Sequence, residues 1–380
     1  MRIGGGAITQ VGEVVTALGA RRPLVVTDSF MVSTGVAALV VEHLATAGAH
    51  AAVFAETVPD PTTASLGAGL SAVRAHGADA IVAVGGGSPI DTGKALALLS
   101  AQGGHMRDYK SPRVNHGPAL PVIAVPTTSG SGSEATQFSI ITDSDTNEKM
   151  LCAGPGFLPA AAILDFELTM SKPPRLTADT AVDAMCHAIE AYVSRKASPF
   201  SDSMALAALR TGSAAIRGVY ADGGDRAGRD SLMLASLQAG IAFSNSSVTL
   251  IHGMSRPIGG NFHVAHGLSN AMLLPTITEF SIAGAPERYA EISRVLGASR
   301  PNASDVTAAR RLVDWLRQLC ADLAVPTPAS YGIDRSVWDA LIPTMAQQAI
   351  ASGSPANNPV VPSREQVEDL YARVFDARPL

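Results

Sequence analysis

Apolar residues in the first half of the chain come in short unbroken runs set between amphipathic stretches. Residues 23–27 (Pro-Leu-Val-Val-Thr), 51–54 (Ala-Ala-Val-Phe), 80–84 (Ala-Ile-Val-Ala-Val) and 121–125 (Pro-Val-Ile-Ala-Val) read as strands. Residues 35–47, 63–76 and 90–100 between them have helical spacing. Strands apolar on both alternations, interleaved with helices, predict a parallel sheet covered on both faces. After about residue 173 the pattern changes. Long Ala/Leu-rich segments at 177–194, 201–219, 229–243, 304–323 and 335–350 predict an all-α region, with a loop at 351–362 and a last helix at 365–375. Ser171-Lys-Pro-Pro174 is a natural breaker. The expected division is therefore 1–173, an α/β domain with a parallel sheet, and 174–380, an all-α domain.

Length agrees with two domains, because 380 residues exceed what one ordinary core organises. Hydrophobic residues at 47% and charged residues at 16% fit a well-buried globular enzyme. The net charge of −5 comes without a Lys/Arg cluster, which argues against nucleic acid or an anionic membrane as partner. No run of ~18 uncharged apolar residues is present to span a bilayer. Met-Arg-Ile-Gly-Gly-Gly at the start lacks a charged-then-apolar signal pattern. Cys152, Cys186 and Cys320 are odd in number and none lies in a Cys-x-x-Cys pair, so a cytoplasmic location is expected.

Two loops carry candidate cofactor chemistry. Gly85-Gly-Gly-Ser-Pro-Ile-Asp-Thr-Gly-Lys94 joins a buried strand to a helix. Glycines there let backbone N–H groups approach a phosphate, and the helix N-terminus adds positive dipole. The stretch is not a Walker A loop: five residues separate Gly87 from Gly93, and Ala95 follows Lys94. Nor is it Gly-x-Gly-x-x-Gly. Pro126-Thr-Thr-Ser-Gly-Ser-Gly-Ser-Glu134 follows the next apolar strand. Two such loops at carboxyl ends of parallel strands are placed to share one dinucleotide. Asp28 ends the first strand. Its carboxylate either contacts an adenosine ribose, favouring NAD over NADP, or serves a turn or helix entry.

The candidate metal chemistry lies in the helical half. Asp183 and His187 are four apart on a helical stretch, hence on one face. Glu190 lies three residues further on and is placed to orient His187 or a neighbouring backbone group. His252, His263 and His266 fall within fifteen residues of a segment broken by Gly and Pro. A lone Asp-x-x-x-His is usually a surface pair, and His252 alone would read as a core histidine. Together, Asp183, His187, His252 and His266 form a donor set for a divalent cation.

These stretches, with Thr180-Ala-Val-Asp-Ala-Met-Cys-His-Ala-Ile-Glu190, Ala242-Phe-Ser-Asn245 and residues 252–275, resemble the iron-containing (group III) alcohol dehydrogenase family. The resemblance runs from Val26-Thr-Asp28 to Leu370-Tyr371. It implies the dehydroquinate synthase-like architecture of an α/β dinucleotide-binding domain followed by a helical domain. It implies NAD and a divalent metal, Fe(II) or Zn, held by Asp183, His187, His252 and His266. Gly85, Gly86, Gly87 and Ser88 would hold the pyrophosphate, with Asp91 in the same motif. Thr127, Thr128 and Ser131 would line the cofactor site, Lys149 would contact a ribose, and Asp28 would disfavour NADP. Members are often homodimers or larger. Two departures stand out. Arg256 occupies the place, four after His252, where the family commonly has a proton-relaying histidine. His263 is an imidazole gained three residues before His266.

The expected reaction is hydride transfer between a metal-activated alcohol and C4 of the nicotinamide, with a small alcohol or aldehyde as substrate. His263 is a candidate proton carrier, alongside a cofactor ribose hydroxyl with water. Arg256 either pairs with a substrate carboxylate or phosphonate, or caps a helix or pairs with a neighbour. A hydroxyacid-oxoacid transhydrogenase and a maleylacetate reductase are alternatives in the same superfamily. A dehydroquinate synthase-like lyase would need several cations for a phosphorylated substrate, yet residues 240–275 hold only Arg256 as a fixed positive charge. A catalytically silent binding protein is opposed by the intact four-ligand set.

Overall fold

A computed structural model describes residues 1–377 of the chain. They form two compact units, Met1–Ser171 and the described residues from Lys172 onward. The break falls within the Ser171-Lys-Pro-Pro174 stretch, where two prolines interrupt backbone pairing.

In the first unit the strands are β1 (Arg2–Ile3), β2 (Pro23–Val26), β3 (Ala52–Phe54), β4 (Ala80–Gly85), β5 (Val122–Pro126), β6 (Phe138–Thr142), β7 (Lys149–Ala153) and β8 (Ala161–Leu164). The helices are α1 (Val11–Ala17), α2 (Ser29–Ser33), α3 (Val36–Thr46), α4 (Leu66–His76) and α5 (Gly87–Gln102). Six strands form one parallel sheet in the order β1-β8-β5-β4-β2-β3. Every residue of β2, β4 and β5 is buried, because both faces are covered. Leu24, Val26, Ile81, Ala83 and Ala124 pack with Leu66, Val73, Ile90 and Leu96 of α4 and α5. The alternate residues Val25, Val82, Val84, Ile123 and Val125 pack with Val11, Val15, Val40 and Leu44 of α1 and α3. The chain winds outward from β2 to β3, then back across to β4. The strand order therefore reverses between β2 and β4, and open α/β sheets bind ligands beyond the carboxyl ends at such a point. Asp28 follows β2, and the glycine loop follows β4.

The antiparallel pair β6–β7 was not expected from the sequence. Its residues alternate between buried and partly exposed. Ser139, Thr142 and Lys149 leave only short apolar runs there, which periodicity alone does not assign to strand or helix.

The second unit has α6 (Pro174–Val193), α7 (Pro199–Ala221), α8 (Arg226–Ser244), α9 (Leu250–Phe262), α10 (His266–Ser281), α11 (Pro286–Val295), α12 (Asp305–Asp322), α13 (Pro328–Tyr331), α14 (Arg335–Ala351) and α15 (Arg364–Asp376). No strand occurs among its described residues. Almost all of α6 is buried, with α7, α8 and α10 packed around it. The segment expected to be broken by Gly and Pro is instead helical, through Pro257 in α9 and from His266 onward in α10. Pro257 removes one N–H from the helix. Burial of Leu250, Ile251, Met254 and Ile258 on one side of α9 outweighs that loss. None of the described helices is long and apolar enough to cross a membrane. All three cysteines are free thiols.

Candidate metal centre and cofactor loops

Three helices of the second unit bring one carboxylate and three imidazoles together. Asp183 and His187 project from one face of α6, His252 from the first turn of α9, and His266 opens α10. One ligand atom from each lies within 4.8 Å of every other. From Asp183 Oδ1 the Nε2 atoms of His252, His266 and His187 stand 3.4, 3.7 and 4.0 Å away. Four ligands ~2.1 Å from a central ion in a tetrahedron are about 3.4 Å apart, so this donor set fits a first-row divalent cation with slight contraction. Asp183, His187 and His252 are buried, whereas 44% of the His266 side chain is exposed. The cluster is thus accessible on the His266 side.

Close helix packing places these groups. A Cβ on Gly267 would lie 2.3 Å from the Asp179 carbonyl oxygen, so only glycine lets α10 press onto α6 beside Asp183. The His187 ring stacks between Phe243 of α8 (centroids 4.3 Å apart) and His252 (4.4 Å).

Electrostatics keep the lone pairs of Asp183 and His187 available. Burial works against ionising Asp183, but the imidazoles of His187, His266 and His252 pull its carboxyl below the usual range. Burial pushes His187 down to about 3, so it is neutral near pH 7. Glu190 reaches α9 rather than His187, correcting the expected histidine, while the expected backbone contact is present. Its Oε1 accepts from the N–H groups of Thr249 (3.0 Å) and Ile251 (2.8 Å) and from Thr249 Oγ1 (2.8 Å). Its Oε2 pairs with His252 Nδ1. The carboxylate therefore caps the start of α9 and aims His252 Nε2 inward. Burial opposes the charge on His252, yet Glu190 and Asp183 together raise its pKa to about 9. A cation must displace that proton from Nε2 to bind there.

Arg256 lies one turn beyond His252 on α9, partly buried, and its Nη1 donates to Ser354 Oγ at 3.2 Å. His263 is exposed and ends α9 in the left-handed conformation at φ 55°. Asn270, not singled out from the sequence, lies among the ligands: its Nδ2 is 2.6 Å from Asp183 Oδ1. Its place one turn after His266 was the available signal.

In the first unit the loops after β4 and β5 meet. Gly85 has φ 148°, and a Cβ there would lie 2.5 Å from Pro89 Cγ. A Cβ on Gly86 would lie 3.5 Å from Thr128 Oγ1, and one on Gly87 3.3 Å from Ser131 Cβ. Gly86 precedes α5 with no side-chain cap, leaving N-terminal N–H groups for an anion. This backbone cradle fits a pyrophosphate. The Thr127 N–H donates to the Gly85 carbonyl at 2.9 Å.

The Asp91 carboxylate is engaged inside the unit, accepting from Ser133 Oγ (2.6 Å) and the Ile140 N–H (2.9 Å), so it braces the second loop against α5. Buried Lys94 donates to Thr136 and Phe138. Burial lowers Lys94 to about 8 and raises nearby Glu134 to about 7. Asp28 serves as the N-cap of α2, accepting from the Met31 N–H at 2.8 Å, which is the helix-entry alternative. Lys149 Nζ pairs with Asp60 at 2.9 Å, and the Asp60 N–H donates to Ser88 Oγ at 3.3 Å, so Lys149 and Ser88 share one neighbourhood.

A doubly wound unit with an anion cradle and a helical unit with a metal-ligand cluster fit the class of metal- and nucleotide-using enzymes. The model for iron-containing alcohol dehydrogenase matches residues 1–166, and that for the C-terminal part of the Fe-containing family matches residues 177–375. The NAD-dependent methanol dehydrogenase of Bacillus methanolicus is 33% identical over 368 residues, covering 97% of this chain and 96% of that protein. A solved 1,3-propanediol oxidoreductase superposes with a TM-score of 0.94 at 31% identity, covering 98% of this chain and 97% of its own. Sulfoacetaldehyde reductase from Bifidobacterium kashiwanohense, solved in complex with NAD+, superposes with a TM-score of 0.88 at 27% identity, covering 99% of this chain and 97% of its own. The chain belongs to the iron-containing alcohol dehydrogenase family. It is an NAD-linked oxidoreductase of the alcohol dehydrogenase and aldehyde reductase type, in a family that binds metal.

Proposed function

We propose that Asp183, His187, His252 and His266 hold one divalent cation, Fe(II) or Zn, and that the loops of the first unit hold NAD. The unit Met1–Ser171 then serves the dinucleotide, and the unit Lys172–Leu380 serves metal and substrate. The observation that carries this reading is the convergence of four donor atoms within 4.8 Å from three separate helices. When bound, the cation would supply Lewis acidity to an alcohol hydroxyl, and the nicotinamide would supply hydride-transfer chemistry.

The chain's own groups have definite tasks. Glu190 holds His252 by Nδ1 and keeps Nε2 toward the centre. Gly85 and Gly86 leave the backbone N–H groups of α5 open to the pyrophosphate, with Gly87, Ser88, Thr127, Thr128 and Ser131 shaping the cradle. Asp28 caps α2 through one carboxylate oxygen, and its charge at the end of β2 disfavours a 2′-phosphate and so NADP, while Lys149, tied to Asp60 beside Ser88, contacts a ribose. Exposed His263 exchanges the hydroxyl proton with solvent. Free cysteines accord with work in the cytoplasm, and the family likeness with a homodimer or larger assembly.

Arg256 favours a substrate bearing a second, anionic group. It is the sole fixed positive charge in residues 240–275, and the structural relative named sulfoacetaldehyde reductase carries an anionic substrate in its name. Catalytic efficiency on 4-hydroxybutyrate against butanol, in wild type and Arg256→Ala, decides this. Equal preference in both proteins removes the anionic-substrate reading. The central proposal is tested by quantifying bound metal and following NADH absorbance on a panel of primary alcohols with NAD and NADP. Full turnover in protein stripped of all metal overturns it.

A further inference from the structure

Asn270 is wholly buried, one turn into α10 from His266. Its Nδ2 lies 2.6 Å from Asp183 Oδ1, 3.1 Å from His252 Nε2 and 3.4 Å from His266 Nε2, so one amide nitrogen faces three of the four ligand atoms. Its Oδ1 is buried without a protein partner. A carboxylate that ligates a cation can only accept, and the 2.6 Å contact puts the amide nitrogen toward Asp183. A buried amide that donates to a buried carboxylate is costly to remove, because the carboxylate then loses a donor that water cannot replace there.

We propose that Asn270 is the positioning residue of the metal centre, acting through its N–H bond to the Asp183 carboxylate. Lone-pair counting selects that bond among the three contacts. Each imidazole Nε2 has a single lone pair, which a cation takes. The Asp183 oxygen has two, so it can accept from the amide and still ligate. With a cation held by all four residues, the amide keeps only Asp183, fixing the oxygen that faces the ion and preventing the carboxylate from turning. Groups that orient ligands in this way typically change metal affinity by about 10–100-fold.

This inference rests on the four residues being a metal centre. Cobalt(II) is the probe, titrated into metal-free full-length protein against a competing chelator, with the visible ligand-field spectrum recorded. Asn270→Ala is expected to weaken cobalt(II) binding by about 10–100-fold and to change that spectrum. In an Asp183→Ala background, which keeps three imidazoles, Asn270→Ala is expected to change affinity by less than about twofold, because a residue acting through Asp183 loses its effect with it. Circular dichroism checks the fold. Should Asn270→Ala not fold, Asn270→Ser keeps a donor and is expected to fold with an intermediate loss of affinity. Wild-type affinity and spectrum in Asn270→Ala, or in Asn270→Ser if only that folds, overturns the proposal. So does an equal loss with and without Asp183. Wild-type protein that binds no cobalt(II) overturns the metal centre itself, a separate result.

Discussion

The two candidate sites of this protein are built from different materials. The first-unit cradle is made of backbone: glycines after β4, a helix start with no side-chain cap, and a hydroxyl-rich loop packed against it. The second-unit cluster is made of side chains from α6, α9 and α10, with Glu190 and Asn270 holding them. A backbone site tolerates the loss of side chains but not the addition of a Cβ. A side-chain site responds the other way: removing one group leaves its buried partners uncompensated.

The sharpest break of this contrast is to remove a ligand. His187→Ala and His252→Ala are each expected to lose bound metal and to lower turnover on the order of 10³-fold, since the cation supplies several kcal/mol. NADH binding, followed by fluorescence quenching, should stay within about threefold of wild type if the cradle stands alone. Full activity in both variants would show that the cluster is not the catalytic centre. Next in size is Glu190→Gln, which keeps the volume and removes the charge beside His252. Metal affinity should fall by about 10–100-fold under chelator competition, with the nucleotide constant unmoved. Unchanged affinity would mean that Glu190 only caps α9.

The converse experiment adds a Cβ. Gly87→Ala places it 3.3 Å from Ser131 Cβ, pushing the two loops apart. The NADH dissociation constant is expected to rise by roughly tenfold, about 1.4 kcal/mol, with metal content unchanged. Loss of metal instead of nucleotide would reverse the comparison. The smallest effect concerns Glu134, whose pKa burial raises to about 7 from an ordinary value of 4.5. The folded state holds a proton that the unfolded chain releases in that window. This contribution is present below pH 4.5 and is lost as pH rises through about 7. Glu134→Gln cannot ionise. Wild type should therefore lose about 2 °C or more of Tm relative to the variant between pH 5 and 8. Parallel profiles would mean that the carboxyl is solvated.

The α/β unit was legible because its signals are local. Residues 80–84 and 121–125 are apolar on both alternations, and that pattern arises where a sheet is covered on both faces. The β6–β7 hairpin, covered on one face, left too weak a trace. In the helical unit the long segments are legible, but the glycines and Pro257 between His252 and His266 read as a broken segment, whereas tertiary burial keeps α9 helical through Pro257. Asp183 and His187 could be paired by helical spacing alone.

By itself, then, the order of residues settled which groups are available: the apolar runs, the glycines that free the backbone after β4, and four donors of metal-binding type. Only the folded chain decided which of them meet. Glu190 serves His252 instead of the nearer His187, Asp91 braces a loop, Asp28 caps α2, and Asn270 stands on Asp183. The physical reason is range. Spacing fixes neighbours within a helix turn or a strand, whereas contacts between α6, α9 and α10 join residues as many as 87 apart, through close packing that no local pattern encodes.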